Sequence, residues 1–170
     1  MTDARALFPL VFIGPMGAGK TRIGRRVAKA LDVRFLDTDK MVVAEHGQIA
    51  EIFETRGEAA FRDLERDAVA EALSERAVVS LGGGAVLHED TQRALAHTTV
   101  VFLTVTAEAV AARINTSKRP LLKNGTGDWQ RIYDERRTLY ESLAVATFDT
   151  SNEPIERIAA NIAIWAKGRA

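Results

Sequence analysis

One glycine-rich segment near the amino terminus constrains this chain more than any other feature. Residues 14–21, Gly-Pro-Met-Gly-Ala-Gly-Lys-Thr, match the pattern G-x-x-x-x-G-K-[ST] at every fixed position. The apolar run Leu10–Ile13 precedes this segment, and a helical pattern with Ile23, Val27 and Leu31 on one side follows it. A strand before and a helix after are the setting in which such a loop directs backbone N–H groups at phosphate oxygens. The setting disfavours a chance glycine-rich turn, so the sequence predicts binding of a nucleoside triphosphate.

The residues of this phosphate loop have expected roles. Backbone N–H groups of Gly17, Ala18 and Gly19 are expected to surround the phosphates. Lys20 is expected to reach the β- and γ-phosphates, and the Thr21 hydroxyl to ligate Mg²⁺. The loop therefore predicts ATP and Mg²⁺, but it does not identify the group that accepts the phosphoryl.

Composition limits the class of protein. A chain of 170 residues suits one compact domain, residues 1–170, and its 23 basic and 23 acidic side chains favour neither nucleic acid nor membrane as a partner. The absence of cysteine excludes disulfides, zinc–thiolate sites and cysteine nucleophiles, and fits a reducing compartment. The apolar segment 7–13 is too short for a membrane span and a poor signal peptide. We expect a cytoplasmic monomer.

Strand-like and helical segments alternate along the chain. Apolar runs predict strands at 10–13, 33–36, 77–81, 99–105 and 147–150, and periodic patterns predict helices at 58–75, 89–96, 107–114, 129–142 and 154–165. This alternation predicts an α/β fold with a parallel sheet covered on both faces. Three unusual sequences follow strands directly: the phosphate loop, Asp37-Thr38-Asp39 and Gly82-Gly83-Gly84. They should meet at the carboxyl edge of the sheet.

Asp37 and Asp39 are two carboxylates at a spacing that points both the same way in an extended chain. One could support Mg²⁺, directly or through water, and the other could orient an acceptor hydroxyl. The alternative is a loop in which Asp39 caps a helix that starts near Lys40. Beside a phosphate loop, we favour the functional interpretation.

Helical periodicity predicts different surroundings for three arginines. Arg62 and Glu65 are three residues apart and could pair across one helical turn, although a solvated salt-bridge face remains the stronger reading from sequence alone. Arg136 falls on an apolar stripe with Ile132, Leu139 and Leu143, where it needs an anion or a buried partner. Arg137 lies one position off the stripe and should be solvated.

The triple glycine either forms a ligand platform, since glycine allows close backbone approach, or is a flexible turn, and we favour the platform.

A polar stretch, residues 115–128, is long for a connection and predicts a lid spanning about residues 113–127. Arg119 in this lid could neutralise charge on the transferred phosphoryl group. Arg113 and Pro154 are weaker candidates for sandwiching an adenine ring. The three histidines show no metal-ligand spacing, and Trp129 and Trp165 are interpreted as packing residues.

In this order, these segments resemble the shikimate kinase family from Leu10 to about Trp165. The resemblance rests on the phosphate loop together with segments at 35–39, 49–53, 57–65, 82–84, 119–122 and 136–140. It implies a nucleoside-monophosphate-kinase-like P-loop fold, a three-layer sandwich with a five-stranded parallel sheet and a mobile lid. The implied activity is ATP- and Mg²⁺-dependent phosphorylation of the 3-hydroxyl of shikimate, in aromatic amino acid biosynthesis. The alternatives are a gluconate-type kinase and a non-catalytic nucleotide-binding module.

The resemblance also implies roles for individual residues. Arg62 and Arg136 would clamp the shikimate carboxylate, with Glu65 steadying Arg62, and Asp39 would accept from the ring hydroxyls as general base. Further implied contacts are backbone N–H groups of Gly83 and Gly84 to substrate, Phe53 and Phe61 as pocket walls, and Asp37 beside Thr21 near Mg²⁺. The family usually has a second hydroxyl residue at the α-phosphate, where this chain has Arg22.

Overall fold

A five-stranded, all-parallel sheet forms the centre of the computed structural model, which describes residues 7–113 and 125–169. The strands are β1 (Leu10–Ile13), β2 (Arg34–Asp37), β3 (Ala77–Ser80), β4 (Thr99–Thr104) and β5 (Ala146–Asp149), and their order across the sheet is β2-β3-β1-β4-β5. All five strands were predicted, with ends that differ by one residue at most positions. The α/β prediction is confirmed.

Burial explains why the inner strands have continuous apolar sequences. Every residue of β1 and β3 is buried, since helices cover both faces of the sheet and neither face needs polar side chains. The edge strand β5 instead alternates between partly buried and exposed positions. This difference accounts for the weaker sequence pattern of β5.

The helices depart from prediction mainly at their ends. They are α1 (Lys20–Ala30), α2 (Thr38–His46), α3 (Ile49–Arg56), α4 (Glu58–Leu73), α5 (Glu89–Leu95), α6 (Ala107–Ala111), α7 (Thr126–Leu143) and α8 (Ile155–Arg169), with a short 3-10 helix at Ala85–Leu87. Among these described helices, none has both the length and the apolar character that a membrane span requires. The helix predicted to end at residue 114 ends at Ala111, and α7 begins three residues before its predicted start.

Helix α3 was not predicted as an element. It is eight residues long and bounded by Gly47 and Gly57, so its sequence shows too few turns for a clear period. Its buried residue Ile52 packs in a small apolar cluster with Val42 and Phe61, separate from the main core. Tertiary packing therefore stabilises a helix that its own sequence indicates only weakly.

The junction of β1 with the phosphate loop requires glycine. Gly14 has φ 146°, in the region that residues with a Cβ rarely adopt, and an ideal Cβ there would clash with the backbone carbonyl oxygen of Leu103 at the end of β4. A carbonyl in the central sheet cannot move aside as a flexible side chain can. The loop can therefore leave β1 next to β4 only without a side chain.

We expect Gly14→Ala to lower the free energy of unfolding by more than Gly57→Ala does. Gly57 has φ 86° with nothing within 4 Å of an ideal Cβ, so its substitution costs backbone strain alone, about 1–3 kcal/mol. Gly14→Ala adds the displacement of the Leu103 carbonyl to a similar strain. Urea unfolding of both variants measures the difference, and equal losses would show that the close approach is unimportant.

Candidate active site

The three unusual sequences meet in one cleft at the carboxyl edge of the sheet. The cleft has a volume of about 690 Å³. Its walls are formed by Met16, Gly17, Gly19, Lys20, Thr21, Arg22, Asp37, Asp39, Lys40, Ser80, Leu81, Gly83, Ala112, Arg113 and Ile155. Parallel pairing of β1 with β3, and of β3 with β2, brings these strand ends side by side. The prediction of a shared edge is confirmed.

Within the phosphate loop, the lysine side chain folds back over the backbone. Lys20 Nζ donates to the carbonyl oxygens of Gly14 at 2.7 Å and Pro15 at 3.0 Å. Lys20 is also the first residue of α1, so the positive end of the helix dipole lies at the same point. Positive potential is therefore concentrated where phosphates are expected.

Two side chains from distant segments hold carbonyls of the loop. Trp129 Nε1 donates to Met16 O at 2.7 Å, and Arg113 donates to Gly17 O at 3.1 Å and to Thr150 O at 2.9 Å. Since a trans peptide is planar, fixing the Met16 carbonyl also fixes the opposite direction of the Gly17 N–H. The prediction that Trp129 packs is confirmed, because it is 1% exposed and stacks on Tyr133. Sequence did not indicate its bond to the loop.

The two acids lie beside the loop in an arrangement that the sequence did not predict. Asp37 Oδ2 accepts from the Thr21 hydroxyl at 2.6 Å, and Asp37 Oδ1 accepts from Lys40 N at 3.2 Å, which makes Asp37 the N-cap of α2. The alternative in which Asp39 is the cap is wrong. The chain becomes helical at Thr38, so the extended geometry assumed for the pair is also wrong. Both carboxylates nevertheless line the cleft.

Thr38 connects α2 to the end of β3. Its fully buried hydroxyl accepts from Gly82 N at 3.2 Å and lies 3.4 Å from Ser80 O. This contact sets the distance between the acids and the glycine turn (Gly82–Gly84). A threonine at the start of a helix carries no sequence pattern that marks such a role.

Charged side chains crowd the glycine turn. An ideal Cβ on Gly82 would lie 2.5 Å from Asp39 Oδ1 and 2.8 Å from Glu65 Oε2, and one on Gly84 would clash with the Arg62 guanidinium. Side chains at these positions would push the charged groups out of place. This close approach supports the platform interpretation over a flexible turn.

Arg62 and Glu65 form a pair shielded from solvent. Arg62 Nη1 lies 2.9 Å from Glu65 Oε1, and the two side chains are 15% and 3% exposed. Arg62 also contacts Glu58 at 3.3 Å and lies over the Phe61 ring at 5.2 Å, while its Nε is buried with no hydrogen-bond partner among the described residues. The predicted pairing is confirmed, and the solvated-face reading is wrong for this pair.

The two adjacent arginines of α7 differ in burial, as the periodicity predicts. Arg136 is buried, whereas the Arg137 side chain is 59% exposed and pairs with Glu141 at 3.0 Å. Burial raises the pKa of the Tyr140 hydroxyl, and the neighbouring Arg136 guanidinium lowers it. Arg136 makes no ion pair with a carboxylate in the ranges 7–113 and 125–169. The Tyr140 hydroxyl in turn donates to Gly83 O at 2.5 Å. Sequence analysis did not single out Tyr140.

The remaining residues predicted for the site differ in whether they line the cleft. Phe53 and Phe61 pack with ring centroids 5.0 Å apart next to Arg62, and Arg22 is an exposed residue of the cleft wall. Pro154 is exposed and directly precedes α8, and its neighbour Ile155 lines the cleft. Arg119 and most of the predicted lid lie outside the described residues.

A protein-family model for shikimate kinase matches residues 16–167. The chain belongs to the shikimate kinase family. A shikimate kinase of Streptomyces coelicolor is 42% identical over 153 residues, 88% of this chain and 90% of that protein. The structure of shikimate kinase from Acinetobacter baumannii in complex with shikimate superposes with a TM-score of 0.89 at 31% identity and covers 98% of both chains. A gluconokinase from Sinorhizobium meliloti, with a TM-score of 0.60 at 21% identity, shares the fold alone.

The Glu65 carboxyl has a raised pKa in this member of the shikimate kinase family. Burial raises the pKa of the Glu65 carboxyl from 4.5 to about 7, against the neighbouring Arg62 guanidinium, which lowers it. The carboxylate of Asp39 raises this pKa further. Between pH 4.5 and about 7, the folded chain therefore holds a proton that the unfolded chain has released. The contribution of Glu65 to the free energy of unfolding thus falls as pH rises through this interval.

Glu65→Gln removes this titration. Relative to wild type, we expect the free energy of unfolding of the variant to increase between pH 4.5 and about 7 by at most roughly 3 kcal/mol. Urea unfolding at a series of pH values measures this difference. Glu58→Gln, which alters an exposed partner of the same arginine, is the matched control for loss of a carboxylate next to Arg62. A flat difference for Glu65→Gln, or one no larger than that of Glu58→Gln, would contradict the prediction.

Proposed function

We propose that the chain is a shikimate kinase that transfers the γ-phosphoryl group of ATP directly to the 3-hydroxyl of shikimate. The observation that carries the proposal is the buried Arg136, whose guanidinium packs next to Gly83, while Arg62 packs against Gly84 of the same turn. Gly83 itself lines the cleft that holds the phosphate loop. A buried guanidinium without a carboxylate partner among the described residues suits a ligand that supplies a carboxylate. Family membership and the use of ATP by that family support the same conclusion.

On the donor side, Lys20 and the backbone of Gly17, Ala18 and Gly19 bind the phosphates. Lys20 Nζ leaves the carbonyls of Gly14 and Pro15 for phosphate oxygens, a short move within the loop. Positioning and charge neutralisation then supply most of the catalysis, as in phosphoryl transfer generally. Arg113 and Pro154 flank the adenine, Arg22 contacts the phosphate side of the cleft, and Arg119 neutralises charge on the transferred group.

The residues present fit a magnesium ion. The Thr21 hydroxyl and the Asp37 carboxylate lie 2.6 Å apart beside the phosphate loop, and hard oxygen ligands of this kind are those that Mg²⁺ prefers. Thr21 would hold the ion directly, and Asp37, which accepts from the Thr21 hydroxyl, would support it in second place. Bound there, Mg²⁺ neutralises charge on the β- and γ-phosphates.

On the acceptor side, Arg62 and Arg136 bind the substrate carboxylate and Asp39 orients the ring hydroxyls. Glu65 keeps the Arg62 fork in place through the 2.9 Å contact, and Phe61 supports the guanidinium from its ring face. Asp39 accepts the proton of the attacking 3-hydroxyl as its oxygen bonds to the γ-phosphorus and the bond from that phosphorus to the leaving ADP breaks. The backbone N–H groups of Gly83 and Gly84 complete the acceptor subsite, and the rings of Phe53 and Phe61 wall it.

A coupled assay for ADP release tests the proposed function. With ATP and Mg²⁺, we expect turnover with shikimate and none above background with gluconate or AMP, because those compounds lack the ring carboxylate geometry that the two arginines bind. Mass spectrometry of the product should give a single added phosphoryl group. Turnover with gluconate alone would favour the gluconate-type kinase, and no turnover with all three would favour the non-catalytic nucleotide-binding module.

Arg136→Lys tests the assignment of the carboxylate site. Lysine keeps the charge but loses the planar fork, so we expect the KM for shikimate to rise by about tenfold or more while the KM for ATP changes little. Arg137→Lys makes the same change one position away on an exposed side chain and is the matched control. Steady-state kinetics with each substrate varied measures both constants. Similar KM values for the two variants would refute the assignment.

A further inference from the structure

We propose that Tyr140 is a positioning residue of the acceptor subsite, where its hydroxyl holds both the Gly83 carbonyl and the Arg136 guanidinium in the orientation that binds the substrate carboxylate. This inference rests on the proposed function, because it concerns how the same subsite is kept in shape. Tyr140 itself need not touch the substrate. It acts through one backbone group and one side chain that do.

The Tyr140 hydroxyl has one carbonyl acceptor and one neighbouring guanidinium. Tyr140 Oη donates its hydrogen to Gly83 O at 2.5 Å, and the Arg136 guanidinium, one helical turn earlier on α7, lowers the pKa of this hydroxyl against the larger effect of burial. A phenol has one hydrogen to donate, so with Gly83 O as its acceptor only the lone pairs of the hydroxyl can face the guanidinium. Burial raises the pKa of Tyr140 to about 12, which keeps the hydroxyl protonated at neutral pH.

Holding the Gly83 carbonyl also sets the direction of a substrate contact. Gly83 C=O and Gly84 N–H belong to the same planar trans peptide, so the N–H points opposite to the carbonyl. The glycine turn has no side chains to fix this peptide, and glycine backbones change orientation more readily than others. With Tyr140 on the carbonyl side, the Gly84 N–H is held facing away from Tyr140.

The Tyr140 ring has a separate role from its hydroxyl. The side chain is 1% exposed, and its ring packs at 5.2 Å from Phe102 and 6.5 Å from Tyr133 within the main core. Phenylalanine can keep these contacts. Tyr140→Phe therefore removes the hydrogen bond to Gly83 O and the oxygen next to Arg136 while leaving the packing, which separates positioning from stability.

The test compares Tyr140→Phe with Tyr133→Phe in the full chain. Tyr133 belongs to the same aromatic cluster and is 7% exposed, but its side chain lines a different cavity, beside Asp149 and Arg137. We expect Tyr140→Phe to raise the KM for shikimate about tenfold, while kcat and the KM for ATP change by less than about twofold. Tyr133→Phe should change none of these constants. The free energy of a hydrogen bond next to a charged group is large enough to account for a tenfold change in KM.

A second readout isolates the carboxylate. Methyl shikimate carries no negative charge at the ring carboxyl, so Tyr140→Phe should lower kcat/KM for shikimate more than kcat/KM for the ester. In the double variant with Arg136→Lys, the increases in KM should be less than multiplicative, because both changes act on one contact.

The possible outcomes distinguish a failure of this inference from a failure of the proposed function. The wild-type arm tests shikimate phosphorylation itself. With wild type active, the inference is overturned if Tyr140→Phe leaves the KM for shikimate within about twofold of wild type, raises the KM for ATP equally, or matches Tyr133→Phe. An unfolded Tyr140→Phe would also overturn it, because the hydroxyl would then serve the fold.

Discussion

The candidate site depends first on the parallel pairing of β1 with β3 and of β3 with β2. This pairing sets Phe12 opposite Ser80 and Ser80 opposite Asp37, so the phosphate loop, the acids and the glycine turn begin next to one another. Strand side chains alternate between faces, so a slip of one residue in β3 would move the glycine turn away from the acids. The side-by-side position of Asp37 and the start of the glycine turn follows from this register.

Helix α7 then holds the backbone at two points of this edge, in each case through a hydrogen bond to a carbonyl oxygen. Trp129 donates to Met16 O in the phosphate loop, and Tyr140 donates to Gly83 O in the glycine turn. In each case a buried aromatic side chain holds the carbonyl of a peptide whose N–H points the opposite way. Glycine-rich backbone allows close approach by ligands but does not fix its own orientation. In the proposed function, one helix thus sets the backbone orientation on both the donor and the acceptor sides.

How far the sequence predicted this site depended on whether a feature repeats along the chain. Helical periodicity separated Arg136 from Arg137, and alternation of strands and helices placed three segments at one edge. The alternative that made Asp39 the helix cap is wrong, and the cap is Asp37, because two acids two residues apart look alike until the helix start is known. Tyr140 and Thr38 were missed, since each acts through one long-range contact with the glycine turn that leaves no local pattern. The burial of the Arg62–Glu65 pair likewise depends on the turn packed against it.

In the proposed function, the choice of acceptor follows from side chains that the fold does not fix. The gluconokinase from Sinorhizobium meliloti shares the fold at a TM-score of 0.60 with 21% identity, so the sheet and its edge are compatible with other kinases. In this chain, α4 contributes Arg62 and Glu65 to the edge, and α7 contributes Arg136. These charges can pack there only because the glycine turn leaves room for them. In the proposed function, binding of the substrate carboxylate thus requires both the arginines and the missing side chains of the turn, whereas the phosphate loop serves any acceptor.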